Sequence, residues 1–522
     1  MKPLLRTKLA ALVLALSIAS PGLADDYASK NGWRFLNFSD ATFPWDVYRD
    51  TFIGIPPAED PWSSAFDVLF YEQVYKSKLS ADGNCFGISL MNLMIQKNGG
   101  HLGFCAPVTQ YSGDPNSTAM GPTDPKLRRA INVMHGHQVN LPTIQFLLNI
   151  FAQHFNRDAA YAFDQFNYWQ SRGDLTLVSI TKDINPSDGG HTLIVYRALD
   201  LGGGNKKLFV LDPNRTWGNP TDQNWYNTES NFIQINNHAW SFDMGGSTGT
   251  WSGDPGSGGN LVITPASISG RLSRSPASLG DTVIGTLLNT LLLSGDSPHV
   301  EQVTDAHGKR LYKPGTSEID TDPATGMLNT VPWFLSDQQR PHQPGGVLLF
   351  QMGASHGALR ISVSAGPGGY TLSSMGGRTI VAVTARGGSG TDVLTIRNPG
   401  TADAAVSLEN QRGASDYDVV FTRAQLPHSR IRVLKSSRLR IAGQGSVEIG
   451  LSNAGEALRL SSSQAVLRYD LTLSQVSRQK QEMLTQSEVT QEPGAAHSVQ
   501  PRDWQKLKET QVVEQWRPLT LR

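Results

Sequence analysis

Asp82-Gly83-Asn84-Cys85-Phe86-Gly87-Ile88-Ser89-Leu90 is the stretch on which the reading turns. Asp-Gly-Asn makes a turn, and the chain runs straight on into an apolar, helix-compatible segment. Phe86, Leu90, Leu93 and Met94 fall on one helical face, and Gly99-Gly100 ends the helix. Cys85 therefore stands in the first turn of a buried helix. The helix dipole there favours an anion, which raises a cysteine's thiolate fraction and its nucleophilicity. A small buried cysteine on a core helix has the same local look, so the case depends on what the chain places around it.

Downstream, Thr176-Leu177-Val178-Ser179-Ile180 reads as a strand, followed by the loop Asn185-Pro186-Ser187-Asp188-Gly189-Gly190. His191-Thr192-Leu193-Ile194-Val195-Tyr196 and Lys207-Leu208-Phe209-Val210-Leu211 read as two more strands, joined by the turn Gly202-Gly203-Gly204-Asn205. His191 opens one strand and Asp212 closes its antiparallel neighbour, so the two ends meet in space. A carboxylate there can accept an imidazole N–H and hold the ring in one tautomer.

A cysteine at a helix start, then a histidine on a strand, then an aspartate after the next strand resembles the papain-like cysteine peptidase superfamily, most of all its bacterial secreted branch. The motifs are Gly83-Asn84-Cys85-Phe86-Gly87, Gly190-His191-Thr192-Leu193-Ile194-Val195-Tyr196 and Phe209-Val210-Leu211-Asp212-Pro213-Asn214, and the resemblance covers about residues 30–240. It implies an α+β papain-like catalytic domain with Cys85 as nucleophile, His191 as general base and then acid, and Asp212 as the orienting carboxylate. It also implies a thioester intermediate resolved by water or by an amine. Backbone N–H groups at the helix start then face the oxyanion. One departure bears on efficiency. Such peptidases place a glutamine about six residues before the nucleophile, where this chain has Ser80; its nearest upstream glutamine is Gln73. Asn84, Asp82 or Gln138 is left to stand in.

The rest of the chain bounds this reading. It has 522 residues, with 45 Lys and Arg against 45 Asp and Glu, so bulk positive charge for holding nucleic acid is absent. Two cysteines exclude a disulfide-stapled scaffold and a multi-cysteine metal site. Cys85 and Cys105 either pair, which silences the nucleophile, or Cys105 is a free, buried residue or pairs with another molecule. Lys2, Arg6 and Lys8, an apolar run too short to span a bilayer, and Pro21-Gly22-Leu23-Ala24 predict a leader over residues 1–24 that is cleaved near Ala24. The expected location is secreted or periplasmic, with no membrane span.

Residues 25–243 are the expected catalytic domain and 244–260 a Gly-rich linker or loop. Residues 261–477 offer short β-branched runs between turn signals, which predict an all-β, immunoglobulin-like sandwich region of one or two domains. Residues 478–522 are polar and read as a flexible tail. The function expected is hydrolysis of a peptide or protein substrate with no cofactor. The β region is expected to bind a cell surface, a glycan or a partner, or simply to stabilise the enzyme. The alternatives are acyl transfer by a transglutaminase- or amidase-like site, and a non-catalytic binding protein with a relic site. His135-Gly136-His137 lacks a third metal ligand, and Asp243 and Asp254 lack the dense carboxylates of a calcium loop. Asn37-Phe38-Ser39, Asn116-Ser117-Thr118 and Asn214-Arg215-Thr216 match the glycosylation sequon. Trp217, Trp225, Trp240 and Trp251 read as core packing or as a wall of the substrate cleft.

Overall fold

The structure is a computed structural model describing residues 23–59, 65–76, 79, 83–111, 119–182, 190–215, 230–277, 288–295, 298–312, 321–322, 327–328, 331–337, 340–352, 357–413, 415–425, 430–462, 466–477, 480–492 and 495–507. Nearly all of the expected leader, Ser80 and Asp82, the loop after the first strand, Asn116, Trp217 and Trp225 lie outside the described residues.

The helices of the first region are α1 (Leu23–Asn31), α2 (Trp45–Thr51), α3 (Ala65–Phe70), α4 (Cys85–Asn98), α5 (Pro125–Gly136), α6 (Leu141–Ala152) and α7 (Ala159–Gln170). α4 begins at Cys85 and ends at Gly99, whose φ of 70° is a left-handed cap that glycine adopts without a Cβ penalty. Asp124 caps α5 by accepting the Lys126 N–H, with Pro125 at the first position, and Asp158 caps α7 through the Ala160 and Tyr161 N–H groups.

These helices sandwich a seven-stranded antiparallel sheet of β1 (Thr176–Thr181), β2 (Gly190–Gly202), β3 (Asn205–Leu211), β4 (Phe232–Asn236), β5 (Ala239–Asp243), β6 (Thr250–Gly253) and β7 (Leu261–Pro265). Its order is β6-β5-β4-β3-β2-β1-β7. Strand alternation divides the side chains between two cores. Leu177, Ile194 and Leu211 join Ile88 and Leu90 of α4, whereas Val178, Leu193, Val195 and Val210 join Ala162, Phe163 and Phe166 of α7. Ile88, Leu90 and Leu93 are at most 1% exposed, and each burial contributes roughly 1.5–3 kcal/mol. The aromatic stretch before Cys85 packs onto this domain too: Trp33, Phe43, Trp45, Phe52, Phe70 and Tyr71 are all buried.

The stretch 244–260 is no linker. Phe242 pairs with Trp251, so the glycines around 245–249 turn a hairpin within the sheet. Leu261, expected to start the β region, instead starts β7, which pairs with β1 through Val178 and Ile263. The Gly-rich composition serves a tight reversal in one sheet, which sequence alone does not separate from a domain boundary.

From Leu288 onward the chain forms two large antiparallel sheets. One has the order Val331–Asp337, Arg340–Met352, Leu288–Gly295, Tyr370–Gly376, Thr379–Arg386, Ser415–Gln425, Arg430–Ile441, Leu467–Val476, Gln481–Gln491. The other runs Arg310–Tyr312, His299–Asp305, Ala358–Ala365, Gly390–Arg397, Ala405–Asn410, Ser446–Ser452, Ala457–Ser462, Ala496–Val499. Leu372, Phe421 and Leu473 of the first share one buried cluster with Ile361, Leu408 and Leu460 of the second. Together their seventeen described strands, around one shared core, exceed the seven to nine of an immunoglobulin-like domain. From Tyr370 on, successive hairpins are laid alternately into one sheet and the other.

The segment after residue 478 is likewise no flexible tail up to residue 507. Gln481–Gln491 pairs with Leu467–Val476, Ala496–Val499 pairs with Ala457–Ser462, and Trp504 and Leu507 are buried in the shared core. Its apolar period is hidden because the strand lies at a sheet edge and its register shifts opposite Tyr469 and Leu471.

Candidate active site

Cys85 is the first residue of α4 and is half-buried. The residues around it are tied down one by one. The Asn84 N–H donates to the Phe38 carbonyl at 2.8 Å and to Asn37 Oδ1 at 2.9 Å. Asn84 Nδ2 donates to Asn132 Oδ1 at 2.9 Å, and Asn132 Nδ2 donates to Asp40 Oδ2 at 2.8 Å. Arg128 Nε donates to the other oxygen of Asp40 at 2.9 Å. An ionised carboxylate can only accept, so Asp40 fixes the direction of this whole relay. The side-chain amide of Asn84 is thereby held on Asn132. The Gly87 N–H donates to His135 Nδ1 at 3.3 Å, and His135 Nε2 donates to the Leu79 carbonyl at 2.7 Å. The side-chain amide of Gln138 packs against that same ring edge, 2.7 Å from Nε2. Asn84 gives α4 no side-chain cap. The N–H groups of Cys85 and Phe86, which have no intrahelical acceptor, are the ones left to face an anion.

His191 is the second residue of β2, and Asp212 directly follows the last residue of β3. The pair Ile194–Leu211 brings those strand ends side by side. His191 Nε2 donates to Asp212 Oδ1 at 2.7 Å, and the Cys85 thiol is near enough to the ring to add to the charge it carries. With Nε2 engaged by the carboxylate, Nδ1 is the nitrogen left for sulfur. Asp212 Oδ1 also accepts the Asn214 N–H at 2.8 Å, and Arg215 Nε lies 3.5 Å from Oδ2. His191 and Asp212 are 5% and 1% exposed, so base and carboxylate are sealed, whereas Cys85 is only half-buried.

The electrostatics follow from this packing. Burial lowers the His191 pKa, but the charge and hydrogen bond of Asp212, with a smaller contribution from Cys85, raise it to about 10. Burial pushes Asp212 up, and the His191 charge and hydrogen bond, Arg215 and the Asn214 N–H overcome that and hold it below the usual carboxylate range. Both directions favour an imidazolium–carboxylate pair beside the sulfur.

Gly87 sets how closely α4 and α5 pack. A Cβ there would press on the Ile131 carbonyl and lie 2.7 Å from His135 Cβ. Gly87→Ala is expected to cost about 1–3 kcal/mol of stability by overpacking. It should also slow alkylation of Cys85 by displacing the helix start. Urea unfolding and iodoacetamide rates check both, and wild-type values on both would refute this account of Gly87.

The remaining candidates resolve into structure. His135 and His137 are buried, which lowers both to a pKa of about 4, and His137 bonds the Ser269 carbonyl at 2.7 Å. Asp254 caps its own turn through Gly256 and Ser257, and the Asp243 carboxylate accepts the Gly245 N–H. No three His, Cys, Asp or Glu side chains converge to hold a metal among the described residues. Both cysteines are free, and Cys105 is exposed rather than buried as expected. Trp240 and Trp251 are core residues. No helix among the described residues is long and apolar enough to cross a membrane.

Sequence reading missed Asn37, Asn132, Asp40, Arg215 and the role of His135. Asn37, Asn132, Asp40 and His135 act across long separations in the chain and leave no local spacing, whereas Arg215 stands only three residues after Asp212; the sequon at Asn37 pointed elsewhere. No protein-family model, no curated protein and no solved structure matches the chain.

Proposed function

We propose that the protein is an exported thiol hydrolase of papain-like type that cleaves peptide or amide bonds. The observation that carries this reading is the buried His191–Asp212 hydrogen bond of 2.7 Å, with the half-buried Cys85 at the start of α4 close enough to the imidazole to help hold its proton. In the reaction, the thiolate attacks the acyl carbon while His191 holds the thiol proton. The N–H groups of Cys85 and Phe86 receive the developing oxyanion. His191 then gives its proton to the departing amine, leaving a thioester. Water, deprotonated by His191, attacks that thioester, and the proton returns to sulfur as the acid leaves. Export rests on the leader pattern of residues 1–24, and the two-sheet region is the accessory part that binds a cell surface or glycan.

An aspartate as third member suits transfer of the acyl group to an amine as well, so hydrolase and transferase share this site. The test is labelling of the full chain with iodoacetamide or an E-64-type probe, followed by mass spectrometry with peptides and amine acceptors. Labelling is expected at Cys85, lost in Cys85→Ala and kept in Cys105→Ala. Amine adducts in place of free acid would identify the transferase. Labelling that survives Cys85→Ala and vanishes in Cys105→Ala would sink the assignment and leave a binding protein with a relic site.

A further inference from the structure

We infer that Asn37 is the positioning residue that locks the nucleophile's loop to the loop carrying Asp212, a conclusion that rests on the thiol-hydrolase reading above. Asn37 lies between α1 and α2, on neither α4, β2 nor β3. Its backbone N–H donates to the Pro213 carbonyl at 2.7 Å, one residue beyond Asp212. Its side-chain Oδ1 accepts the Asn84 N–H at 2.9 Å, one residue before Cys85. A single residue is therefore bonded to the immediate neighbours of both the thiol and the carboxylate.

The side chain has one available orientation. Oδ1 accepts from Phe38 N–H at 2.9 Å as well as from Asn84, and only the oxygen of an amide can accept. Nδ2 is then turned toward Gly83, where an added Cβ would lie 2.6 Å from it. Gly83 has φ +123°, a conformation that glycine alone takes without strain. The turn into the nucleophile's helix is thus shaped around this amide.

This connection matters because Cys85 and His191 stand on different elements. Their contact depends on how the start of α4 sits against the ends of β2 and β3. Reacting groups misplaced by about 1 Å lose roughly a hundredfold in rate. Asn37 touches neither sulfur nor imidazole; it acts through Asn84 and Pro213.

The test compares wild type, Asn37→Ala and Asn37→Asp as full chains. Aspartate keeps an oxygen for both N–H donors, whereas alanine removes it. Asn37→Ala is expected to slow alkylation of Cys85 about ten- to a hundredfold. It should lower kcat with KM unchanged and move the alkaline limb of the pH profile, as the imidazole loses contact with sulfur. Asn37→Asp should restore most of the rate. Alkylation of Asn37→Ala at the wild-type rate and pH profile would overturn the inference, as would Asn37→Asp being as slow as alanine. A wild-type Cys85 no more reactive than Cys105 would instead overturn the hydrolase reading, so the two failures are told apart.

Discussion

Asp212→Ala is expected to lower kcat/KM for the hydrolytic reaction by about a hundred- to ten-thousandfold, the usual worth of an oriented acid–base group. The carboxylate does two jobs. Its 2.7 Å bond to Nε2 fixes the ring, and its charge holds His191 at a pKa of about 10. Asp212→Asn separates them, since the amide oxygen can keep the bond while the charge is lost. Without that charge, burial pulls the imidazole pKa down, so the alkaline limb of the rate profile should move to lower pH. The linkage has a definite sign. A folded value raised above the ordinary 6.5 means that His191 adds stability fully present below 6.5 and lost as pH rises through about 10. Rates and unfolding midpoints measured across that window check both statements. An unmoved alkaline limb in Asp212→Asn would refute the electrostatic part.

Asp392→Ala, in the β region, should produce the largest loss of stability. Between the two large sheets, Asp392 accepts hydrogen bonds from Tyr370 at 2.9 Å and Tyr417 at 3.0 Å. Arg412 Nη1 lies 3.8 Å from the same carboxylate, and both side chains are fully buried. Arg412 also donates to the Gly366 carbonyl at 3.0 Å and to that of Gly388, tying down two loops. Deleting the carboxylate leaves a buried guanidinium without its counter-charge and two hydroxyls without their acceptor, at about 3–5 kcal/mol. Asp392→Asn should cost less, because it keeps an acceptor. Urea unfolding of the full chain reads the difference. A loss below about 1 kcal/mol for alanine, the scale of an exposed pair, would show that the cluster contributes little.

The parts legible in sequence were those that local physics decides. The helix from Cys85 to Asn98 announced itself by an apolar face and a Gly-Gly stop. The strands bearing His191 and ending before Asp212 were legible because a Gly-rich turn made them a hairpin, which forces their far ends together. What stayed hidden has physical causes as particular as these. Trp251 lies in a strand of four residues between glycine turns, too short to show a period. Met483 points outward and Val489 inward on one edge strand, with Glu488 at φ +55° between them, so alternation fails. The relay from Asn84 through Asn132 to Asp40 joins three loop and helix positions that only the folded chain brings together.

The alternation of hairpins between the two large sheets has a consequence for assembly. Tyr370–Gly376 pairs with Thr379–Arg386, which pairs with Ser415–Gln425, and that in turn with Arg430–Ile441. The other sheet advances in step, from Gly390–Arg397 to Ala405–Asn410 to Ser446–Ser452. From Thr379 on, each described strand finds its mate in a recently made part of the chain, so loops to be closed stay short there. The structure can thus be laid down in the direction of synthesis, each turn of the chain offering the next a ready edge. It can also lengthen or shorten by whole turns while keeping its thickness, as a wall grows by added courses.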